Sequence, residues 1–247
     1  MSQSPEAGQH HMADAATETL RLSVIVPALN EGTAITTTLM ALQPLRTRGH
    51  QVIVVDGGSH DLTVELSRPL ADRVMQAKAG RATQMRAGAD VADGSVLWFL
   101  HADTIAPENA DRLIAQALRL APTGWGRFDV QLSQTRPLLK CVAWMMNQRS
   151  RLSGIATGDQ GIFVRRRLYD DVGGFPEIPL MEDIAISRAL RRHGRPASIR
   201  QPLVSSPRRW LAHGVFRTIL HMWALRLAYF LGVSPERLAA CYAPHRP

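Results

Sequence analysis

The polar residues with the most chemistry to offer stand directly after short apolar runs. Asn30 and Glu31 follow Leu22–Pro27, Asp56 closes Gln51–Asp56, and His101 and Asp103 follow Ser95–Leu100. A carboxylate such as Asp56 can accept from a base or ribose, and Asp103 can ligate a hard divalent cation that bridges a diphosphate. Turn and cap duties are the alternatives: Asp56 precedes Gly57-Gly58, and an aspartate after a strand commonly caps a turn or helix. Further along, Glu182-Asp183 open a helical stretch, and Arg208-Arg209-Trp210 bring forked donors that suit phosphate oxygens. These types fit a nucleotide held by side chains and a metal ion. A glycine cradle is missing: Pro27-Ala28-Leu29-Asn30-Glu31-Gly32 is no G-x-G-x-x-G turn, and no G-x-x-x-x-G-K-[ST] loop occurs, which excludes ordinary dinucleotide and P-loop sites.

The surrounding pattern shows what must hold these residues. The β-branched runs Leu22–Pro27 and Gln51–Asp56 read as buried parallel strands, with Ile35, Leu39 and Leu42 at helical spacing between them. Asp72–Gln76 and Ser95–Leu100 continue the rhythm, with helices expected over 62–70, 80–92 and 108–120. The expected fold is therefore α/β, a doubly wound and mostly parallel sheet. Ligands of such sheets bind beyond the carboxyl ends of the strands, where the polar residues above all stand. After Trp125 the pattern weakens; Phe128–Leu132, Gly161–Val164 and Ser198–Val204 predict a mixed edge, and Met181–His193 predicts a helix stopped by Gly194.

The 247 residues carry a net charge of +8, but residues 1–145 hold 13 basic against 14 acidic side chains and residues 146–247 hold 16 against 7. The excess is nearly all arginine and local to the second half, which suits phosphate-bearing ligands or an anionic membrane surface. No basic recognition helix or arm is visible, so nucleic acid is not an expected partner. Cys141 and Cys241 form no metal spacing; they fit small apolar residues in a reducing cytosol. Residues 1–20 lack an apolar signal core and predict a disordered tail, in which His10 and His11 are a solvated pair. Leu211–Val233 is interrupted by His213, Arg217, His221 and Arg226 and is amphipathic, not membrane-spanning. Its apolar Leu211, Val215, Ile219, Trp223 and Phe230 would face a membrane surface, the domain itself or a second subunit.

Pro27-Ala28-Leu29-Asn30-Glu31, Val54-Val55-Asp56-Gly57-Gly58-Ser59-His60-Asp61, Leu100-His101-Ala102-Asp103 and Met181-Glu182-Asp183 stand in the order and spacing of family 2 glycosyltransferases with the GT-A fold. Gly80-Arg81-Ala82-Thr83-Gln84-Met85 and Ser206-Pro207-Arg208-Arg209-Trp210 resemble the small bacterial radical-SAM/selenodomain-associated transferase 2 group. The resemblance runs over about Leu22 to Tyr242. It implies a catalytic domain over 21–210, divided into a nucleotide-sugar-binding half (21–124) and an acceptor half (125–210), with a helical extension over 211–247.

The resemblance also implies roles. Asn30, Glu31 and Asp56 contact the nucleoside of a nucleoside-diphosphate sugar, and Asp103 holds Mg²⁺ or Mn²⁺ as the last member of a D-x-D motif. Asp183 is the catalytic base, with Glu182 beside it to orient acceptor or backbone. Arg81 reaches the diphosphate or base, Arg208, Arg209 and Trp210 hold diphosphate or acceptor, and Asp159 and Gln160 line the acceptor pocket. The departure is His101, which stands where the family commonly has aspartate and removes a negative charge from the expected metal site. The expected activity is inverting, metal-assisted sugar transfer to a hydroxyl acceptor, lipid-linked or free, by a cytoplasmic protein at or near the inner membrane surface. The alternatives are a nucleotidyltransferase, whose glycine-rich basic loop is absent here, and a non-catalytic module that binds a nucleotide or lipid phosphate.

Overall fold

The computed structural model describes residues 20–134 and 136–242, without the side chains of Arg209 and His213. The expected tail, with His10 and His11, lies outside the described residues apart from Leu20. Four strands repeat the predicted rhythm: β1 (Leu22–Ala28), β2 (Gln51–Asp56), β3 (Arg73–Gln76) and β4 (Val96–Phe99), all parallel and ordered β3-β2-β1-β4. Their continuous apolar runs exist because helices cover both faces. Val24, Val26, Val52 and Val54 pack on one side with Ile35, Leu39, Leu42 and Leu45. Ile25, Ile53 and Val55 pack on the other with Met85 and Ala89.

The Arg81–Asp90 helix is drawn close to the sheet by its small residues. A Cβ at Gly88 would stand 2.5 Å from Ile25 Cγ2 and 3.0 Å from Val55 Cγ2, so glycine is what permits the approach. At its first turn Gln84 Nε2 donates to the carbonyls of Ala28 and Val55, both at 2.8 Å. Helix start and strand ends are thereby tied together, and Arg81 is held above them.

The other half of the sheet is mixed, as expected. β5 (Thr104–Ile105) pairs antiparallel with β8 (Ala197–Ser205), β6 (Trp125–Leu132) runs parallel to β8, and β7 (Phe163–Arg165) lies antiparallel between β4 and β6. A 17-residue helix, Pro137–Ser153, was not foreseen; Leu139, Val142 and Ala143 are its buried apolar face. The Glu182–Arg191 helix begins at the expected place, after Met181 in a left-handed conformation at φ 69°.

The extension packs on the domain, one of the arrangements expected of it. The boundary at 210/211 falls inside the Arg208–His213 helix, and the following Val215–Phe230 and Pro235–Cys241 helices pack back on the domain. Leu225 and Leu238 join Ile155, Met181 and Ile184 in one apolar cluster, while Trp210, Val215 and Ile219 pack on another formed by Leu132, Leu139, Val142 and Ala143. The apolar face is also not single: Phe216, Leu220, Trp223 and Leu227 are exposed on the side that Val215 and Ile219 do not use. Cys141 and Cys241, expected as small packing residues, are both exposed. Among the described residues no helix is long and apolar enough to cross a membrane.

Candidate active site

A cavity of about 540 Å³ opens beyond the carboxyl ends of β1 and β4. Asn30, Glu31, His101 and Asp103 form one end of it, and the Pro137–Ser153 and Val215–Phe230 helices supply the other. Asn30 turns the chain out of β1 in a left-handed conformation, φ 53°, which asparagine tolerates better than most residues. Its Oδ1 accepts from the His60 amide at 2.9 Å, so this turn and the one after β2 are built against each other.

Arg208 reaches across the cavity. Its Nη2 donates to Glu31 Oε2 at 2.5 Å and to Asp103 Oδ2 at 3.1 Å. Burial raises the Glu31 carboxyl above its ordinary range, and the Arg208 contact offsets that only in part. Two carboxylates, each more than a hundred positions from Arg208 in the chain, thus converge on its guanidinium. Trp210 lines the same cavity; the side chain of Arg209 lies outside the described residues.

The second centre is the Gly158–Gln160 turn. Gly158 donates its amide to Asp183 Oδ2 at 3.0 Å, and Asp183 Oδ1 accepts from the Ile184 amide at 2.7 Å. Asp159 Oδ1 lies 3.1 Å from His101 Nδ1. Gly158 itself is pressed on that ring: a Cβ there would come within 2.3 Å of His101 Nε2. A smaller pocket of about 50 Å³ carries Asp183 and Glu182 and shares Arg81, His101, Asp159 and Arg226 with the larger one. Glu182 is 4% exposed and pairs with Arg81 Nη1 at 3.4 Å; its carboxyl is pushed up by burial, against the pull of Arg81.

Apart from Arg209, whose side chain is not described, the expected residues line one or both cavities with two exceptions. Asp56 is 2% exposed and its carboxylate is spent on its own turn, accepting from the Gly58 and Ser59 amides and the Ser59 hydroxyl. The turn-aspartate alternative describes it. Gln160 is fully buried, turned toward Thr157 and Asn147, and does not line the acceptor side of either cavity. Sequence reading missed Arg149 and Arg226, which both line the large cavity. Arg149 was visible in principle, because it continues the helical spacing of Leu139, Val142 and Met146 and so places a charge in an apolar stripe.

The profile of Glycosyl transferase family 2 matches residues 23–137. The chain carries a family 2 glycosyltransferase domain. Its fold is GT-A, shared with S. aureus TarS in complex with UDP-GlcNAc (19% identity, TM-score 0.60, 76% of this chain and 58% of that one). It is shared also with the mannosyltransferase PcManGT from Pyrobaculum calidifontis in complex with GDP-Man and Mn²⁺ (24%, 0.59, 92% and 66%). Glucosyl-3-phosphoglycerate synthase from Mycobacterium tuberculosis, in complex with Mn²⁺, UDP and glucosyl-3-phosphoglycerate, is similar at 16% identity, TM-score 0.59, covering 86% and 82%. The chain spans about three fifths to two thirds of the TarS 1–349 structures. No curated protein matches the sequence.

Proposed function

We propose that the domain is an inverting glycosyltransferase that moves a sugar from a nucleoside-diphosphate sugar to a hydroxyl acceptor. The observation that carries this is the Gly158–Gln160 turn, which links the expected base to the expected donor motif: Asp183 accepts from Gly158 while the neighbouring Asp159 meets His101. Asp183 is held by two amides but keeps further lone pairs on each oxygen, so it can take the proton of an acceptor hydroxyl as that oxygen attacks the anomeric carbon opposite the leaving diphosphate. Negative charge grows on the diphosphate, and Arg208 and Arg81 at the cavity wall are the donors that stabilise it where it develops. Asn30 and Glu31 face the nucleoside, and Asp56 keeps the turn beside them rigid.

A divalent cation fits this site only together with the donor. Among the described residues no three His, Cys, Asp or Glu side chains converge into a preformed cage. Asp103 is the hard oxygen available, and Mg²⁺ commonly takes one or two carboxylates plus substrate phosphates. When bound, the ion supplies charge neutralisation at the diphosphate. The PcManGT and mycobacterial structures contain Mn²⁺, which supports the same use here. The exposed Phe216, Leu220, Trp223 and Leu227 support peripheral contact with an anionic membrane, with pairing to a second copy as the competing arrangement; flotation with anionic liposomes separates them.

Release of nucleoside diphosphate from UDP-, GDP- and dTDP-sugars, with and without Mn²⁺, tests the activity. Turnover with one of these, lost in Asp183→Asn and Asp103→Ala, is the expected result. Binding of the same donors without turnover would leave a non-catalytic nucleotide-binding module instead.

A further inference from the structure

Resting on the transferase reading above, we infer that the acceptor is a phosphate-bearing amphiphile, its anion held by Arg149 and Arg226 and its apolar part lying along Met145, Met146, Ile219, Met222 and Trp223. The two arginines come from facing elements, the Pro137–Ser153 and Val215–Phe230 helices, and both line the large cavity. Nε and Nη2 of Arg149 and Nε of Arg226 are buried with no hydrogen-bond partner among the described residues. Buried polar groups are normally paired, and a guanidinium is the side chain least able to escape the cost by losing its proton. The acidic groups that act on Arg149 are Asp183 and Asp159, and against them stand Arg226 and Arg127. Burial first, then Arg226, pulls the Arg149 pKa down to about 10, as expected of a cation short of a counter-charge. Asp183 already accepts from two amides, and Asp159 already faces His101. A phosphate, with several acceptor oxygens for forked donors, supplies what the pair lacks.

The other lining residues say what the phosphate is attached to. Three of the five residues assigned to the apolar part are methionines, which adapt to irregular apolar ligands. Trp223 lines the cavity and is also 64% exposed, beside Phe216, Leu220 and Leu227. Trp223 thus belongs both to the cavity wall and to the exposed apolar face of its helix, which gives a tail too long for the cavity a route out. A neutral sugar would not need the arginines, and a small anion would not need the wall. The donor diphosphate belongs at the opposite end, with Asn30, Asp103 and Arg208.

Calorimetry with decyl phosphate below its micellar range, decyl maltoside, inorganic phosphate and UDP or GDP tests this. The expected result is decyl phosphate binding at least about tenfold tighter than the neutral amphiphile or inorganic phosphate, with that advantage lost in Arg149→Gln/Arg226→Gln and nucleotide binding kept. Arg149→Met should raise the melting temperature of the ligand-free protein, since it removes a buried unpaired charge, and this shows that lost binding is not lost folding. Equal binding of decyl maltoside would overturn the anion site, and equal binding of inorganic phosphate would overturn the amphiphile. Loss of nucleotide binding in place of decyl phosphate binding would move the arginines to the donor site and overturn the assignment. Arginine-dependent decyl phosphate binding, with no nucleoside diphosphate released from any of the UDP-, GDP- and dTDP-sugars, would keep the ligand class and overturn only the transferase reading.

Discussion

Arg208 Nη2 lies 3.1 Å from Asp103 Oδ2, so an arginine stands where a metal-binding carboxylate is expected to receive its cation. The contact also takes in Glu31 and closes one end of the cavity. Cation and guanidinium compete for the same oxygen. A donor phosphate that accepted from Arg208 would free Asp103 to hold the ion.

Arg208→Ala should therefore bind Mn²⁺ more tightly than the native protein when no donor is present, by roughly tenfold for one charge-assisted bond removed. Transfer should fall about 10²–10³-fold, the usual cost of one preorganised donor at a developing charge. Mn²⁺ titration followed by electron paramagnetic resonance reads the first effect. Unchanged Mn²⁺ affinity would show that Arg208 does not gate the site.

Asp183→Asn should lower kcat by about 10²–10⁴ and leave nucleotide binding near native, because the amide keeps the shape but cannot take a proton. Equal losses in kcat and nucleotide affinity, measured by steady-state kinetics and calorimetry, would mark Asp183 as a structural residue.

Gly158→Ala tests the turn between the two centres. The added methyl meets His101 at 2.3 Å, so ring or turn must shift. Overpacking of this kind costs about 1–3 kcal/mol in stability. Activity should fall more than stability predicts, since the amide that orients Asp183 moves with the turn. A urea melt beside a rate measurement separates the two.

Glu182 makes stability depend on pH in a definite direction. Its folded-state pKa is raised above 4.5, chiefly by burial, so its contribution to stability is complete below that pH and is lost as pH rises through the folded value. Glu182→Gln removes the loss. The variant should gain on the native protein in urea melts as pH rises above the ordinary glutamate range; a difference that stays flat with pH would mean that Arg81 fully compensates the buried charge.

At the back of the site, Gly88→Ala should destabilise by about 1–3 kcal/mol, because Ile25 and Val55 leave no room for a methyl group. Arg81, on the same helix, should lose position, seen as weaker nucleotide binding by calorimetry at a temperature where the variant is folded.

Those parts of the molecule that repeat a simple period were readable in the residues. β1 and β2 announce themselves as β-branched runs and β4 as an apolar one, and the polar residues after them fall at one end of the sheet because parallel strands share a direction. The Pro137–Ser153 helix was obscured by Cys141, Trp144 and Arg149, which blur its apolar stripe. Arg149 looked like one arginine among many, since nothing in a linear chain tells that its neighbours in space include Arg226 and no free carboxylate. Asp56 and Gln160 show the reverse limit: the right residue types in the right places were turned toward their own backbone and neighbours, where local hydrogen bonds cost less chain entropy to form.

The helices after residue 207 supply Trp210, Ile219, Met222, Trp223 and Arg226 to the cavity wall. On a ribosome, the whole eight-stranded sheet is therefore synthesised before the chamber that it serves can exist. A polypeptide released early, at about residue 207, would have every described strand, Asp103 and Asp183, yet would lack the wall that Trp210, Ile219, Met222, Trp223 and Arg226 supply. The cavity wall is complete only once the Val215–Phe230 helix has been added.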